Sequence, residues 1–283
     1  MTRQVEHTIA QRIRRELPQL PPAERRVALL LLSGDPLTGL DPVAAVAARA
    51  RTSAPTVLRL LARLGFESYP AFQDAVKSEL AARLSSPLEL YPTGPAGGDL
   101  AARMLDRLGQ AVRTVQRDLP AGELDAAVRL LSDQRRPVWT VGGRFSGMLA
   151  DYLAAHLQLL RPGVGTVPTA LAARTATLLD VDRRSVVVAF DYRRYQPDTV
   201  DFGAAARRQH AAVILFTDHY LSPLAAHADV VLATSVEAAT PFDVLTPAVA
   251  LVEALIACLV DRLGDRPRGR MARYDALTAA ERR

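Results

Sequence analysis

Hydrophobic and polar positions follow one rhythm up to about residue 85 and another after about residue 135. In the first stretch apolar residues recur at helical spacing, with no strand-like alternation. That spacing predicts a helix over Val5–Leu17 and a second over "PPAERRVALLLL", whose prolines suit a first turn and which stops at Ser33-Gly34. Asp41-Pro42 opens a short third helix, "DPVAAVAARA", and a further helix is expected from about Tyr69 to Leu84. Between these two lies "TSAPTVLRLLARLGFESYP". There Ser53 is placed as an N-cap, with Ala54 and Pro55 in the first turn. Val57, Leu60, Leu61 and Leu64 fall on one face and predict a buried stripe, while Thr56, Arg59 and Arg63 fall on another.

The segment "SSPLELYPTGPAGGD" is rich in Pro, Gly and Ser and reads as a linker. Two more helices follow, in "LAARMLDRLGQAVRTVQRDL" and "AGELDAAVRLLSD". Then come "PVWTV", "SVVVAF", "AAVILFT" and "DVVLAT", short apolar runs separated by helical spacing. Continuously apolar strands alternating with helices indicate a parallel sheet covered on both faces. The expected fold is an all-α domain at residues 1–85, a linker at 86–99, a doubly wound α/β domain at 100–263 and a basic tail at 264–283, solvated or frayed. In such sheets ligands bind beyond the carboxyl ends of the strands.

At 283 residues the chain can fill two cores. Residues 1–86 hold 12 Lys/Arg against 8 Asp/Glu and residues 87–263 hold 17 against 19, so the helical end is the basic one. This asymmetry suits a nucleic-acid-binding module joined to a neutral domain. Lys77 is the sole lysine; arginine forks onto phosphates, though a general compositional bias gives the same excess. One cysteine, Cys258, in an apolar run, excludes an intrachain disulfide and reads as a buried thiol. Scattered histidines without ligand spacing predict no metal, and no cofactor is expected. The first residues lack an apolar core and no stretch is long enough to span a bilayer, so a cytoplasmic location with no membrane partner is expected.

The candidate DNA-contacting residues are Thr52, Ser53, Thr56, Arg59 and Arg63, on a second helix that reads base edges with its front and packs with its back. A hydrated helix face would have the same spacing. After the first strand, Gly142 and Gly143 permit a tight turn, and helix-opening N–H groups with the Ser146 hydroxyl can hold a phosphate; a plain strand-to-helix turn is equally open.

The helical stretch fits S-x-x-T-V-x-R-x-x-x-x-L-G-F-x-x-[FY]-x-x-[FL], filled by Ser53, Thr56, Val57, Arg59, Leu64, Gly65, Phe66, Tyr69 and Phe72. It resembles the N-terminal helix-turn-helix domain of RpiR-type bacterial transcriptional regulators. "VGGRFSGMLADYLAAHL" and "LFTDHYLSPLAAHADVVL", the latter with Thr217, Ser222, Pro223, Leu224, Ala225, Ala228 and Asp229, resemble that family's sugar isomerase (SIS) domain. The resemblance implies a transcriptional regulator binding double-stranded operator DNA, a small anionic metabolite such as a phosphosugar, and a homo-oligomer, dimer or tetramer. It departs at "FDYRRYQPDT", where the family's hydroxyl-rich loop is replaced by Asp191, Arg193, Arg194 and Tyr195. Arginine there either clamps a phosphate or carboxylate, or belongs to a charged surface turn. The expected effector site is Gly142, Gly143, Arg144, Ser146, Arg193, Arg194 and Thr217. The alternative is a phosphosugar isomerase with a helical oligomerisation module, for which Glu237, His210, His219 and His227 are the candidate bases; no catalytic residue is assigned.

Overall fold

The computed structural model describes residues 8–32, 36–91, 98–237 and 240–281. Among the described residues five α-helices form the first module: α1 (Ile9–Glu16), α2 (Pro22–Leu32), α3 (Val43–Arg49), α4 (Ala54–Arg63) and α5 (Tyr69–Leu84). Three expectations from the sequence lie outside the described residues, namely Val5–His7, the stop at Ser33-Gly34 and linker residues 92–97. The predicted stripe Val57, Leu60, Leu61 and Leu64 is buried together with Ile13, Val27, Val46 and Phe72. Helix α4 ends because Gly65 adopts φ +87° and the Phe66 N–H turns back to the Leu61 carbonyl at 2.9 Å. Phe66 then meets Phe72 edge to face, with centroids 5.3 Å apart.

The second module comprises α6 (Leu100–Asp118), α7 (Glu123–Ser132), β1 (Val138–Gly142), α8 (Gly147–Leu160), β2 (Val164–Thr166), α9 (Leu171–Thr177), β3 (Val186–Phe190), α10 (Pro197–Arg208), β4 (Ala212–Asp218), β5 (Val230–Thr234), α11 (Thr246–Leu263) and α12 (Arg268–Glu281). All strand pairs are parallel, in the order β2-β1-β3-β4-β5. Alternate residues serve two cores: Val186, Val188 and Phe190 of β3 pack with α7, α8 and α11, whereas Val187 and Ala189 pack with α10. Both faces are thus covered, as the apolar runs predicted.

The structure corrects three expectations. Strand β2 has no apolar run because it is a three-residue edge containing Gly165. The basic tail is helical from Arg268 rather than frayed, though it remains largely exposed as the solvated alternative had it, and it meets α8 where the Arg270 Nε donates to the Gln158 carbonyl at 2.5 Å. Cys258 is exposed, since Leu255 and Leu259 turn the other side of α11 inward.

One arginine belongs wholly to the scaffold. Arg161 is 1% exposed and donates to the carbonyls of Leu131 (2.7 Å), Asp133 (3.1 Å), Pro162 (3.2 Å) and Arg136. It ties the end of α7 to the start of β1 and the end of α8, at the amino-terminal ends of the strands, opposite the loops that follow them. The helical module sits over those loops: the Thr8 hydroxyl donates to the His219 carbonyl at 2.6 Å, and the Arg83 guanidinium lies 5.1 Å above the Tyr195 ring. Among the described residues no helix is long and apolar enough to cross a membrane.

Candidate functional site

Helices α3 and α4 are joined by a turn in which Arg51 takes φ +51°, a left-handed conformation uncommon for a side chain of its size. The Thr52 N–H closes the turn on the Ala47 carbonyl at 2.9 Å. From α2, the Arg26 Nε donates to the Ala50 carbonyl (3.2 Å) and its Nη2 to the Arg51 carbonyl (3.1 Å), so one guanidinium braces the turn. Sequence reading missed Arg26, because only the fold brings α2 alongside.

Ser53 occupies the N-cap position with extended backbone, but its hydroxyl makes no cap bond to the backbone. It shares a 3.0 Å hydrogen bond with the Thr56 hydroxyl, which also accepts from the Arg59 Nη2 at 2.9 Å. Thr56 is 4% exposed. This corrects its placement on the wet face: it is the buried middle of a chain leading to Arg59. Arg59 and Arg63 remain open to solvent, with side chains 62% and 43% exposed, and both approach the buried Glu24 carboxylate, at 3.9 and 3.2 Å. Thr52 is half-buried and Ser53 exposed. The front of α4 therefore presents two guanidiniums anchored from behind by one carboxylate.

At the other module, β1 and β3 are where the strand order reverses, the usual location of a ligand crevice. Here the crevice is stitched by its own residues. The Ser146 hydroxyl donates to the Phe190 carbonyl (2.7 Å) and accepts from the Gly143 N–H (3.0 Å). A Cβ at Gly142 would lie 2.7 Å from the Gly147 Cα, and one at Gly143 would lie 2.8 Å from the Gln196 side chain. The two glycines are thus needed for close packing of this loop. Arg144 is exposed beside them. Thr217 is fully buried and its hydroxyl accepts from the Ser222 N–H at 3.1 Å, a structural role away from the surface.

The loop after β3 holds most of the ionisable chemistry. The Asp191 carboxylate accepts from the Ser222 hydroxyl (2.5 Å) and the Gln196 N–H (3.0 Å); burial nevertheless pushes it up to about 6. Asp218 accepts from the Tyr195 hydroxyl (2.8 Å) and the Tyr220 N–H (2.9 Å), and burial likewise raises it to about 6. Arg193 and Arg194 both reach Asp243, in the loop before α11, and the Arg193 Nη1 also donates to the Ala82 carbonyl of α5 at 3.2 Å. The structure therefore brings Arg193 and Arg194 together, on a carboxylate that sequence spacing did not reveal. It does not join them by any hydrogen bond to Ser146.

Between the modules lies a cavity of about 370 Å³ lined by Thr8, Glu79, Thr114, His219, Tyr220 and Glu237, among others. The Glu79 carboxylate accepts from the Ile9 N–H at 2.7 Å, and burial pushes it up to about 7. The Tyr220 hydroxyl donates to Glu237 at 3.0 Å, and its own ionisation is raised by burial and that carboxylate. Of the candidate bases, His219 and Glu237 line this cavity, whereas His210 and His227 are exposed elsewhere. Among the described residues no cluster of His, Cys, Asp and Glu is arranged to hold a metal ion.

Residues 130–258 match the family model of the SIS domain. The fold is similar to the sugar isomerase domain of an RpiR transcription factor from Sphaerobacter thermophilus, with a TM-score of 0.57 and 22% identity over 63% of this chain and 99% of that one. It is also similar to the NanR protein of Vibrio vulnificus complexed with ManNAc-6P, with a TM-score of 0.56 and 15% identity over 96% of this chain and 98% of that one. The second likeness runs across both modules; at these identities each is a likeness of fold. In sequence the chain is 28% identical over 229 residues to the bifunctional protein glk of Burkholderia thailandensis, 80% of this chain but 35% of that protein. The chain thus spans about a third of the length of the curated relatives it matches.

Proposed function

We propose that the chain is a DNA-binding transcriptional regulator whose helical module, residues 1–85, contacts an operator and whose SIS domain senses a small anionic metabolite of the phosphosugar class. The observation that carries this reading is α4: its back is wholly buried, the turn before it is braced by Arg26, and its front presents Arg59 and Arg63. A recognition helix needs these properties, a fixed approach angle and forked donors that reach guanine edges or phosphates. The fold likeness to the sugar isomerase domain of an RpiR transcription factor, and to the NanR protein complexed with ManNAc-6P, supports it. The effector would engage the loops after β1 and β3, with Arg193 and Arg194 as its anion-holding groups.

Exposed apolar side chains on α8 (Met148) and α12 (Met271, Tyr274, Leu277) support self-association. A two-fold dimer, or a tetramer built from it, would set paired α4 helices on half-sites about a helical turn, or a multiple of one, apart. As a regulator of this kind it would act in the cytoplasm.

The test is binding of the purified protein to labelled DNA from upstream of its own coding region, across a salt series and against scrambled competitor. Specific binding with a steep salt slope supports the regulator. Failure there and in selection from random sequences, together with turnover of phosphosugars, would overturn it in favour of an isomerase-type enzyme.

A further inference from the structure

Two arginines adjacent in sequence seldom serve one acceptor, because neighbouring side chains on extended backbone point to opposite sides. Here Arg194 adopts φ +68°, a conformation unfavourable for a non-glycine residue, and both guanidiniums reach the Asp243 carboxylate. One carboxylate thus faces two permanent cations. Arg193 is also unsaturated: its Nε is buried and without a hydrogen-bond partner, although Nη1 and Nη2 are engaged. The Arg194 side is open, at 33% exposure against 8% for Arg193, so an outside anion has an approach.

We propose that Asp243 is an internal pseudo-ligand: it occupies the Arg193–Arg194 oxyanion site, and a phosphate monoester displaces it to signal to the helical module. This rests on the anionic-effector reading above and adds how that site is regulated. A phosphate dianion matches both guanidinium charges and offers enough oxygens to use the idle Nε–H, which one carboxylate in this pose does not. The Arg193 Nη1 meanwhile holds the carbonyl of Ala82, near the end of α5. A guanidinium drawn toward an incoming phosphate leaves that carbonyl, so occupancy of the site loosens the tie between modules. An internal carboxylate holding the pair nine-tenths of the time weakens an outside anion about tenfold.

Calorimetric titration of the full-length protein with inorganic phosphate at fixed ionic strength tests this. Asp243→Asn is expected to tighten phosphate binding about tenfold over wild type, and adding Arg193→Gln is expected to abolish the gain. Asp243→Ser serves in its place should the asparagine variant fail to fold, as judged by circular dichroism. Glu237→Gln, which removes a different carboxylate charge, one that lines the cavity between the modules, controls for general electrostatics. Equal gain from Glu237→Gln, or equal affinity of wild type and Asp243→Asn, overturns the pseudo-ligand while leaving the anion site standing. Phosphate binding by none of the proteins overturns the anion site itself, and the proposal with it. Hydrogen exchange reads the coupling: saturating phosphate is expected to speed exchange over residues 80–86 of the wild type, and unchanged exchange in the bound protein refutes the signal to α5.

Discussion

Each module contains two arginines gathered on one carboxylate, and the two arrangements are built to opposite ends. On α4, Arg59 and Arg63 lean on a buried Glu24 and keep their own side chains largely in water. In the loop after β3, Arg193 is itself buried and Asp243 is nearly so. On the proposed reading the first arrangement positions forks for an external partner, since the acid sits behind and the cations in front. The second closes on itself, because acid and cation desolvate each other. Location of the carboxylate relative to the cations, more than their number, separates a presenting surface from a lock.

A limiting case calibrates the comparison. Among the described residues Arg161 has only carbonyls as hydrogen-bond partners, and burial lowers its proton affinity, opposed in part by Asp133. Arg161→Ala leaves several buried carbonyls without donors and is expected to cost about 3–5 kcal/mol in chemical denaturation, the largest effect here. A cost under 1 kcal/mol would mean that water replaces the guanidinium. Glu79 is the opposite case, a carboxylate between the modules that burial disfavours more than Arg83 and Arg12 relieve. Its folded pKa of about 7 lies above the usual carboxylate value, so the folded state holds the extra proton. Its stabilising contribution is full below about pH 4.5 and is lost as pH rises through 7, a change of about 3 kcal/mol. Glu79→Gln should flatten the decline of Tm between pH 4.5 and 7; an unchanged slope would place the titration elsewhere.

Two smaller effects bear on the presenting pair. On the proposed DNA-binding reading, Arg59→Ala should weaken operator affinity by about 1–3 kcal/mol, or roughly 5- to 150-fold, in fluorescence anisotropy at moderate salt. Undiminished affinity would return α4 to a hydrated surface helix. Glu24→Gln should change stability by about 1 kcal/mol or less, because both of its partners are well solvated. A loss as large as that of Arg161→Ala would make the two arrangements alike.

Legibility followed sequence distance. The stripe from Val57 to Leu64 and the buried strands β3 and β4 were readable because periodicity is a local property that burial enforces directly. Strand β2 was not, being short, edge-placed and glycine-containing. Among site residues the types were legible and their partners were not. Ser146 spends its proton on a carbonyl 44 positions away, Arg63 reaches an acid 39 positions away and Arg193 one 50 positions away. Such pairings are decided by how helices cross and how loops stack, which a spacing rule does not encode. Thr56 failed for a nearer reason: a threonine at the third helical position turned inward to the N-cap side chain, where helical spacing alone put it outward.

Thr8 serves two structures at once. Its hydroxyl oxygen accepts from the Gln11 N–H that opens α1, and its proton goes to the His219 carbonyl in the loop after β4. Fraying the first turn of α1 therefore breaks one of the ties between the modules, beside those of Arg83 on Tyr195 and Arg193 on Ala82. Modules joined only by a linker would melt as two cooperative units; held together at this cap and at the Arg83 and Arg193 contacts, these are expected to give one calorimetric endotherm, and Thr8→Ala to broaden it by weakening one of the three ties.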